Sequence, residues 1–463
     1  MFCRLKESYV LRGWERLPYA LQSRETGKTF FIDETTFQAL TFCNGLIDIE
    51  GPFLLPIYKR IIAELIEKGI VRECACGDEL KEEQKYRLIP CRYIGRAHWS
   101  ITGKCNLRCR HCYMSAPQAK YGELSHEQCL SIIRQLADAG ITQISLTGGE
   151  PLVRNDFLDI VDALSENHIH ILQLYTNGVL VNDKLLNDLD KRGVRPEFSI
   201  SFDGVGWHDW LRGTRGAEQM ALDAITLLRS RGFEVSIETC LHKNNLHTLE
   251  ATFKLLADLG VRSWKTSPAS DSGNWAAEGG KYNLTVKELY DAYLELIPKY
   301  KAAGAPLSIM LGGFFANGRG KADYHIPSKK YNGNEKMQKS VICGSARNTM
   351  YIAADGKLLP CIPLSGLPIQ EEMPSLADTP LLEALSASRY IRMIDTRLED
   401  LLSENQKCRE CEHKYYCGGG CRAGALLTSG EYLGCDEFTC YLFKNGYEAK
   451  IKAAYAKTAN LIY

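Results

Sequence analysis

Cys105-Asn106-Leu107-Arg108-Cys109-Arg110-His111-Cys112 comes directly after the extended run 97–102, and the reading of this loop decides the fold. Three thiolates in so short a stretch can hold three irons of a 4Fe–4S cube and leave the fourth iron open. A fully ligated cluster only transfers electrons, whereas an exposed iron also binds a substrate or cofactor. A structural zinc site is the alternative. It would want a fourth local ligand, and His111 lies within the triplet. The position just past a strand weighs against zinc.

Outward from this loop the chain alternates between strand-like and helix-like segments. Extended runs fall at 97–102, 142–147, 169–175, 197–202, 233–241 and 262–266, with amphipathic helices between them. Ser125-His126-Glu127-Gln128 is a capping box that opens one helix, and Gly140 and Gly232 end two others. Six such units imply an α/β fold with a parallel sheet, either doubly wound or curled into part of a barrel. In both arrangements a ligand sits at the carboxyl ends of the strands. A further helix is expected over 286–303 and a strand over 306–311, followed by an irregular Gly-rich segment, 312–334. From Cys343 to Cys440 the chain is dense in cysteine, and a terminal helix is expected over about 444–458.

Residues 1 to about 80 read as a small separate unit. Extended runs at 17–21 and 29–32 flank the turn at Glu25-Thr26-Gly27, and Asp33 is placed to cap a helix running through Phe42. A second helix is expected from Pro56 to Lys68, stopped by Gly69, with Ile70 and Val71 opening a return strand. This order fits a winged-helix module, and the charged stretch 77–85 reads as a linker.

At 463 residues the chain is too long for one core. Lys plus Arg and Asp plus Glu are both 56, so no electrostatic argument favours nucleic acid or an anionic membrane as partner. No stretch is apolar enough to span a bilayer, and the first residues lack the pattern of a secretory signal. The expectation is a cytoplasmic protein. There, 18 cysteines point to thiolate ligation rather than disulfides.

The loop Cys105, Cys109, Cys112 resembles the CxxxCxxC signature of the radical S-adenosylmethionine (SAM) superfamily. Gly148-Gly149-Glu150-Pro151, at the end of the second strand, resembles that family's GGEP motif. The resemblance implies a partial (β/α)6 TIM-like barrel over 96–310, with a catalytic cluster on Cys105, Cys109 and Cys112. It also implies that Gly148, Gly149, Glu150 and Pro151 bind the amino group of the cofactor's methionine. Asn177, in the segment ending the third strand, and Ser201 and Asp203, in that ending the fourth, look like the groups around its ribose and carboxylate. Arg212 is read as a bidentate carboxylate partner, against the plainer reading of a surface arginine. Asn245 is a weaker candidate of the same kind. Tyr113 is expected near the adenine. In such enzymes a reduced cluster cleaves the sulfonium, and a 5′-deoxyadenosyl radical abstracts hydrogen from the substrate.

A second array comprises Cys343, Cys361, Cys408, Cys411, Cys417, Cys421 and Cys440. With Asp355-Gly356-Lys357 and Cys417-Gly418-Gly419-Gly420-Cys421-Arg422, it resembles the SPASM domain. That implies a cysteine-rich iron–sulfur domain over 311–445, followed by a terminal helix, 446–463. Two auxiliary 4Fe–4S clusters follow, giving three in all with the SAM-binding one. Cys343, Cys361 and Cys421 are assigned to the first and Cys408, Cys411, Cys417 and Cys440 to the second. Cys435 is extra: it completes the first cluster, substitutes for Cys440, or stays free. Cys74 and Cys76 form a CxC that could supply ligands. Cys3, Cys43, Cys91, Cys129 and Cys240 read as packing residues, although Cys240 ends the fifth strand, where a hydrogen-atom donor would suit an epimerase.

The N-terminal unit resembles the recognition element of enzymes that modify ribosomally made peptides, on the stretches 9–13 and 37–45. Such a module adds an extended leader peptide to a sheet edge. It has no basic recognition helix for DNA. The combined resemblance implies a peptide maturase forming a thioether crosslink, served by an electron donor such as flavodoxin or ferredoxin. Carbon–carbon crosslinking and epimerisation are close alternatives, and formylglycine generation in a sulfatase is a more distant one. The non-enzymatic alternative is a multi-cluster electron-transfer protein.

Overall fold

The computed structural model describes residues 1–117, 120 and 122–457. At its centre is an eleven-stranded sheet. Seven strands run parallel in sequence order: β1 (Arg96–Ser100), β2 (Gln143–Thr147), β3 (His170–Thr176), β4 (Glu197–Ser201), β5 (Val235–Leu241), β6 (Ser263–Pro268) and β7 (Ser308–Leu311). The connecting helices are α1 (His126–Asp138), α2 (Phe157–Glu166), α3 (Asp183–Lys191), α4 (His208–Arg212), α5 (Ala217–Ser230), α6 (Leu249–Asp258) and α7 (Val286–Ala302). The expected capping box opens α1: Gln128 donates its backbone N–H to Ser125 Oγ at 3.2 Å, and Ser125 N–H donates to Gln128 Oε1 at 2.9 Å. The sheet is open, consistent with a partial barrel rather than a closed one.

Period-two alternation in the strands sorts their side chains onto two faces. Ile144, Leu146, Phe198, Ile200 and Ile237 are wholly buried in the main core. The alternate positions, His98, Tyr175, Ser201, Glu238, Cys240, Lys265 and Ser267, line a cavity on the inner face. A closed (β/α)8 barrel fills its interior with branched apolar side chains. A polar interior is instead suited to hold a ligand.

One strand came from an unexpected place. β8 (Thr349–Ile352), inside the cysteine-dense region, lies parallel to β1 and extends the sheet on that edge. Tyr351 Oη and Ser100 Oγ are 2.6 Å apart across this junction. The strand is only four residues long and all apolar or aromatic after Thr349, so it carried no legible period. The expected terminal helix is two helices, Glu437–Lys444 and Tyr447–Ala456. They break at Gly446, whose φ of 65° no helical residue adopts. Residues 458–463 of the expected span lie outside the described residues.

The N-terminal region contains two sheets. In the first, Phe2–Leu5 is flanked antiparallel by Asn44–Asp48 and Val71–Cys74, and the helices Glu34–Phe42 and Pro56–Glu67 pack with it around Leu5, Leu40, Ile62 and Val71. Asp33 caps the first helix by accepting from Thr36 N–H at 2.9 Å. In the second sheet Tyr9–Glu15, Leu17–Ser23 and Thr29–Phe31 form an antiparallel meander, and Arg87–Arg92 adds a parallel strand. Its inner face, with Trp14, Ala20 and Ile89, shares the core of the barrel. The stretch 77–85 is more than a linker. Gln84 is fully buried, donating to Lys6 O at 2.9 Å and accepting from Arg4 at 2.9 Å. One buried glutamine among charged residues has no periodicity by which to reveal itself.

Trp14 holds the two parts together, its indole N–H donating to Ala139 O at 2.9 Å at the end of α1. Replacing it with alanine should cost about 3–5 kcal/mol. A denaturant melt followed by circular dichroism reads this directly, and a Trp14→Phe protein should lose clearly less.

Candidate functional site

The cavity at the carboxyl ends of the strands measures about 690 Å³. Cys105, Cys109 and Cys112 line it, on the loop after β1. Each sulfur receives a donor: Leu107 N–H to Cys105 at 3.4 Å, Arg212 to Cys109 at 3.8 Å and Ala116 N–H to Cys112 at 3.3 Å. Burial pushes the Cys105 thiol up to about 12 and raises those of Cys109 and Cys112 as well. Loading of a metal cluster must therefore release protons here. Three enclosed thiols, each with a donor aimed at sulfur, fit the cluster that the spacing implies.

Gly148 and Gly149, also at the cavity wall, let this loop lie against the end of β2. Gly149 N–H donates to Thr102 O at 2.8 Å, and Glu150 N–H donates to Lys104 O at 2.9 Å. A Cβ on Gly149 would stand 2.2 Å from Lys104 O, and one on Gly148 2.6 Å from Thr102 O. No other residue type allows that approach.

Glu150 and Pro151 are not at the cavity wall. The Glu150 carboxylate is fully buried and accepts from Thr176 Oγ1 and Asn177 N–H, both at 2.8 Å, and from Leu152 N–H at 3.1 Å. Burial pushes its carboxyl up to about 7 against the pull of those three bonds. In this position it ties the end of β2 to the end of β3. Pro151 starts the short turn Pro151–Val153 beneath it.

Asn177 lines the cavity and donates through Nδ2 to Asn106 Oδ1 at 2.7 Å, so β3 also steadies the cysteine loop. Ser201 lines the cavity as well. Asp203 lies behind it, fully buried, and Arg212 donates to its Oδ2 through Nε at 2.6 Å. Burial alone would neutralise Asp203; the Arg212 guanidinium beside it, helped by His208, holds its carboxyl far below the usual carboxylate range. Burial likewise opposes the charge on Arg212, and Asp203 more than restores it. Arg212 is neither a surface residue nor free for a ligand through Nε. It spans from Asp203 to the sulfur of Cys109. Asn245 is fully buried and donates to Asp203 O and Cys240 O, both at 2.8 Å, so it braces the site from behind. The Tyr113 ring lines the cavity; burial raises its phenol well above the ordinary range, and it faces Tyr351 and Ser100.

Sequence reasoning passed over His98, Tyr175, Glu238 and Lys265, which line the inner face. His98 stacks on Tyr175 at 4.9 Å, and Lys265 Nζ lies 3.1 Å from Glu238 Oε2 on the neighbouring strand. Polar residues at alternate strand positions were the signal available. Cys240, read as packing, lines the same cavity, and burial pushes its thiol up.

The C-terminal cysteines divide into two groups. Cys343 and Cys361 line the main cavity, and Cys421 interacts electrostatically with both. Cys408, Cys411, Cys417, Cys435 and Cys440 surround a separate small cavity, with Cys435 Sγ 3.8 Å from Cys408 Sγ. Cys435 thus joins the second group and leaves three thiols in the first. Cys74 stands apart at the end of a strand of the N-terminal sheet, with Cys76 just beyond it, exposed.

The radical SAM superfamily model matches residues 99–256, the span holding the triplet and the Gly-Gly-Glu-Pro turn. The chain carries a radical SAM domain. Over about three quarters of its length the chain is similar to proteins of differently named activities. An AdoMet-dependent heme synthase of Nitratidesulfovibrio vulgaris is 27% identical over 352 residues, covering 74% of this chain and 91% of that protein. A PqqA peptide cyclase of Gluconobacter oxydans is 25% identical over 341 residues, covering 73% and 87%. In fold, SuiB of Streptococcus suis, solved bound to precursor peptide SuiA, matches with a TM-score of 0.64 at 16% identity, over 95% of this chain and all of that one. No helix among the described residues is long and apolar enough to cross a membrane.

The buried Asp203–Arg212 pair gives a direct test. Asp203→Asn leaves an uncompensated guanidinium and should cost about 3–5 kcal/mol. Thermal unfolding of the metal-free protein measures it, and a loss below about 1 kcal/mol would contradict the assigned role.

Proposed function

We propose that this radical SAM enzyme matures a ribosomally made precursor peptide, forming a thioether between a cysteine sulfur and a carbon of that peptide. The observation that carries the peptide reading is the full-length likeness in fold to SuiB, N-terminal region included, alongside relatives that are peptide cyclases. When bound, a reduced cluster on Cys105, Cys109 and Cys112, together with SAM, supplies one-electron chemistry for hydrogen abstraction. The chain's own residues hold that chemistry in place. The Gly148-Gly149 backbone admits the cofactor's methionine, Asn177 and Ser201 face the cavity beside the triplet, and Arg212 sets a fixed positive charge against Cys109.

Thioether formation is favoured by the grouping of the C-terminal cysteines. A first auxiliary cluster held only by Cys343, Cys361 and Cys421, at the wall of the reaction cavity, offers a position to a substrate thiolate. The five thiols of the other group suffice for a fully ligated second cluster that passes electrons from a flavodoxin- or ferredoxin-type donor. The first N-terminal sheet, with the exposed Leu46 on its edge strand Asn44–Asp48, suits leader binding by strand addition. The expected location is cytoplasmic.

A tetrapyrrole substrate is the second reading, favoured by the heme synthase relatives. Binding the several carboxylates of a porphyrin calls for free cations. Among the described residues, the Arg and Lys side chains that line the cavity are already paired, Arg212 with Asp203 and Lys265 with Glu238. That balance suits a peptide better.

Anaerobic incubation with dithionite and SAM should yield 5′-deoxyadenosine, and Cys105→Ala should abolish it; continued cleavage would mean that the active cluster lies elsewhere. With a co-encoded precursor peptide, mass spectrometry should show the loss of two hydrogens. An unchanged mass with altered stereochemistry would replace crosslinking by epimerisation, and turnover of an iron porphyrin alone would replace the peptide.

A further inference from the structure

Lys330 belongs to the irregular segment after the barrel, before the first of the C-terminal cysteines and 90 residues from Gly420. Its ammonium nevertheless donates to Ile342 O at 2.5 Å and to Gly420 O at 2.6 Å. These are the carbonyls immediately before Cys343 and Cys421. Its backbone N–H donates to Tyr416 O at 2.9 Å, the carbonyl immediately before Cys417. One lysine therefore touches the residue preceding a cysteine in three segments, two from the first group and one from the second.

The charges around it are arranged to match. Cys343, Cys421 and Asp436 act on the ammonium with opposite sign and Arg422 with like sign. Asp436, 3% exposed, accepts from Cys421 N–H at 2.8 Å and from Thr439 Oγ1 at 2.5 Å, and so fixes Cys421 from its other side. Arg422 is equally buried, and its terminal nitrogens donate to other backbone carbonyls, Tyr432 O at 2.8 Å and Gly434 O at 3.1 Å among them. Lys330 is the cation that reaches the carbonyls beside both Cys343 and Cys421. Enclosing an ammonium costs free energy unless charge and hydrogen bonds compensate. Thiolates at Cys343 and Cys421, with Asp436, would supply that compensation.

We propose that Lys330 is the positioning residue of the first auxiliary cluster: it staples the Cys343 and Cys421 segments at the separation the cluster needs, and its charge favours the reduced form. This rests on the reading that Cys343, Cys361 and Cys421 hold such a cluster. Cluster reduction adds a negative charge, so a fixed cation nearby raises the reduction potential.

The experiment uses the full-length, anaerobically reconstituted protein, with iron and sulfide analysis and an EPR-monitored redox titration. Lys330→Met removes both donors and charge, and should lose about a third of the bound iron, one 4Fe–4S cluster of three. Lys330→Gln keeps a donor without the charge; it should retain more iron but give one midpoint shifted to more negative potential. Lys330→Arg should restore both iron and midpoint. Wild-type iron and midpoints in both Lys330→Met and Lys330→Gln would overturn the proposal, as would an iron loss in Lys330→Met that Lys330→Arg fails to correct. Iron for only one cluster in the wild-type protein would overturn the auxiliary-cluster reading together with this one. Wild-type clusters indifferent to residue 330 would remove this one alone.

Discussion

The loop that carries Cys105, Cys109 and Cys112 has no regular structure, yet its three sulfurs must be held to fractions of an ångström. What holds it is the edge-on contact with the end of β2, where Gly149 and Glu150 donate their N–H groups to Thr102 and Lys104. That contact is possible only because two consecutive residues lack a Cβ. Glu150 then extends the constraint, its carboxylate drawing in Thr176 and Asn177 so that β2 and β3 end at a common level. Asn177 returns to the loop through Asn106. The conspicuous acidic residue of this turn thus works inside the protein. It fixes the geometry in which the neighbouring backbone faces the cavity.

A similar division runs through the rest of the site. Asp203, His208 and Asn245 are buried behind the wall, while Ser201, Arg212 and Cys240 stand at it. Without Asp203 the Arg212 guanidinium would be a buried charge lacking its counter-ion. With it, the guanidinium is fixed against the sulfur of Cys109. Pre-arranged charge of this kind needs no reorganisation when a charged ligand arrives.

Much of this could be read in the chain. Seven strands of the sheet were legible because each is a short extended run, apolar on at least alternate positions, between helical segments, and the capping box at Ser125 and the cap at Asp33 mark helix starts by local chemistry alone. The triplet and the Gly-Gly turn were legible for the same reason: their function depends on spacing within a few residues. Contacts between distant segments were not legible. β8 pairs with a strand some 250 residues away in sequence, Gln84 is buried by partners from residues 4 to 9, and Lys330 meets its carbonyls through the fold. The turning of the Glu150 carboxylate inward, towards Thr176 and Asn177, and the grouping of Cys435 with Cys408 depend on such contacts too.

The place of β8 beside β1 has a consequence for how the chain comes to be folded. Ser100 and Tyr351 are separated by 251 positions, so the ribosome completes the whole barrel before the strand that covers its first edge is made. Until then β1 presents unpaired backbone groups, the kind of edge that recruits other chains. Pairings this distant in sequence form late and slowly. The cysteine-rich region is thus also the closing piece of the sheet, and nascent chains that stop short of it carry an adhesive edge.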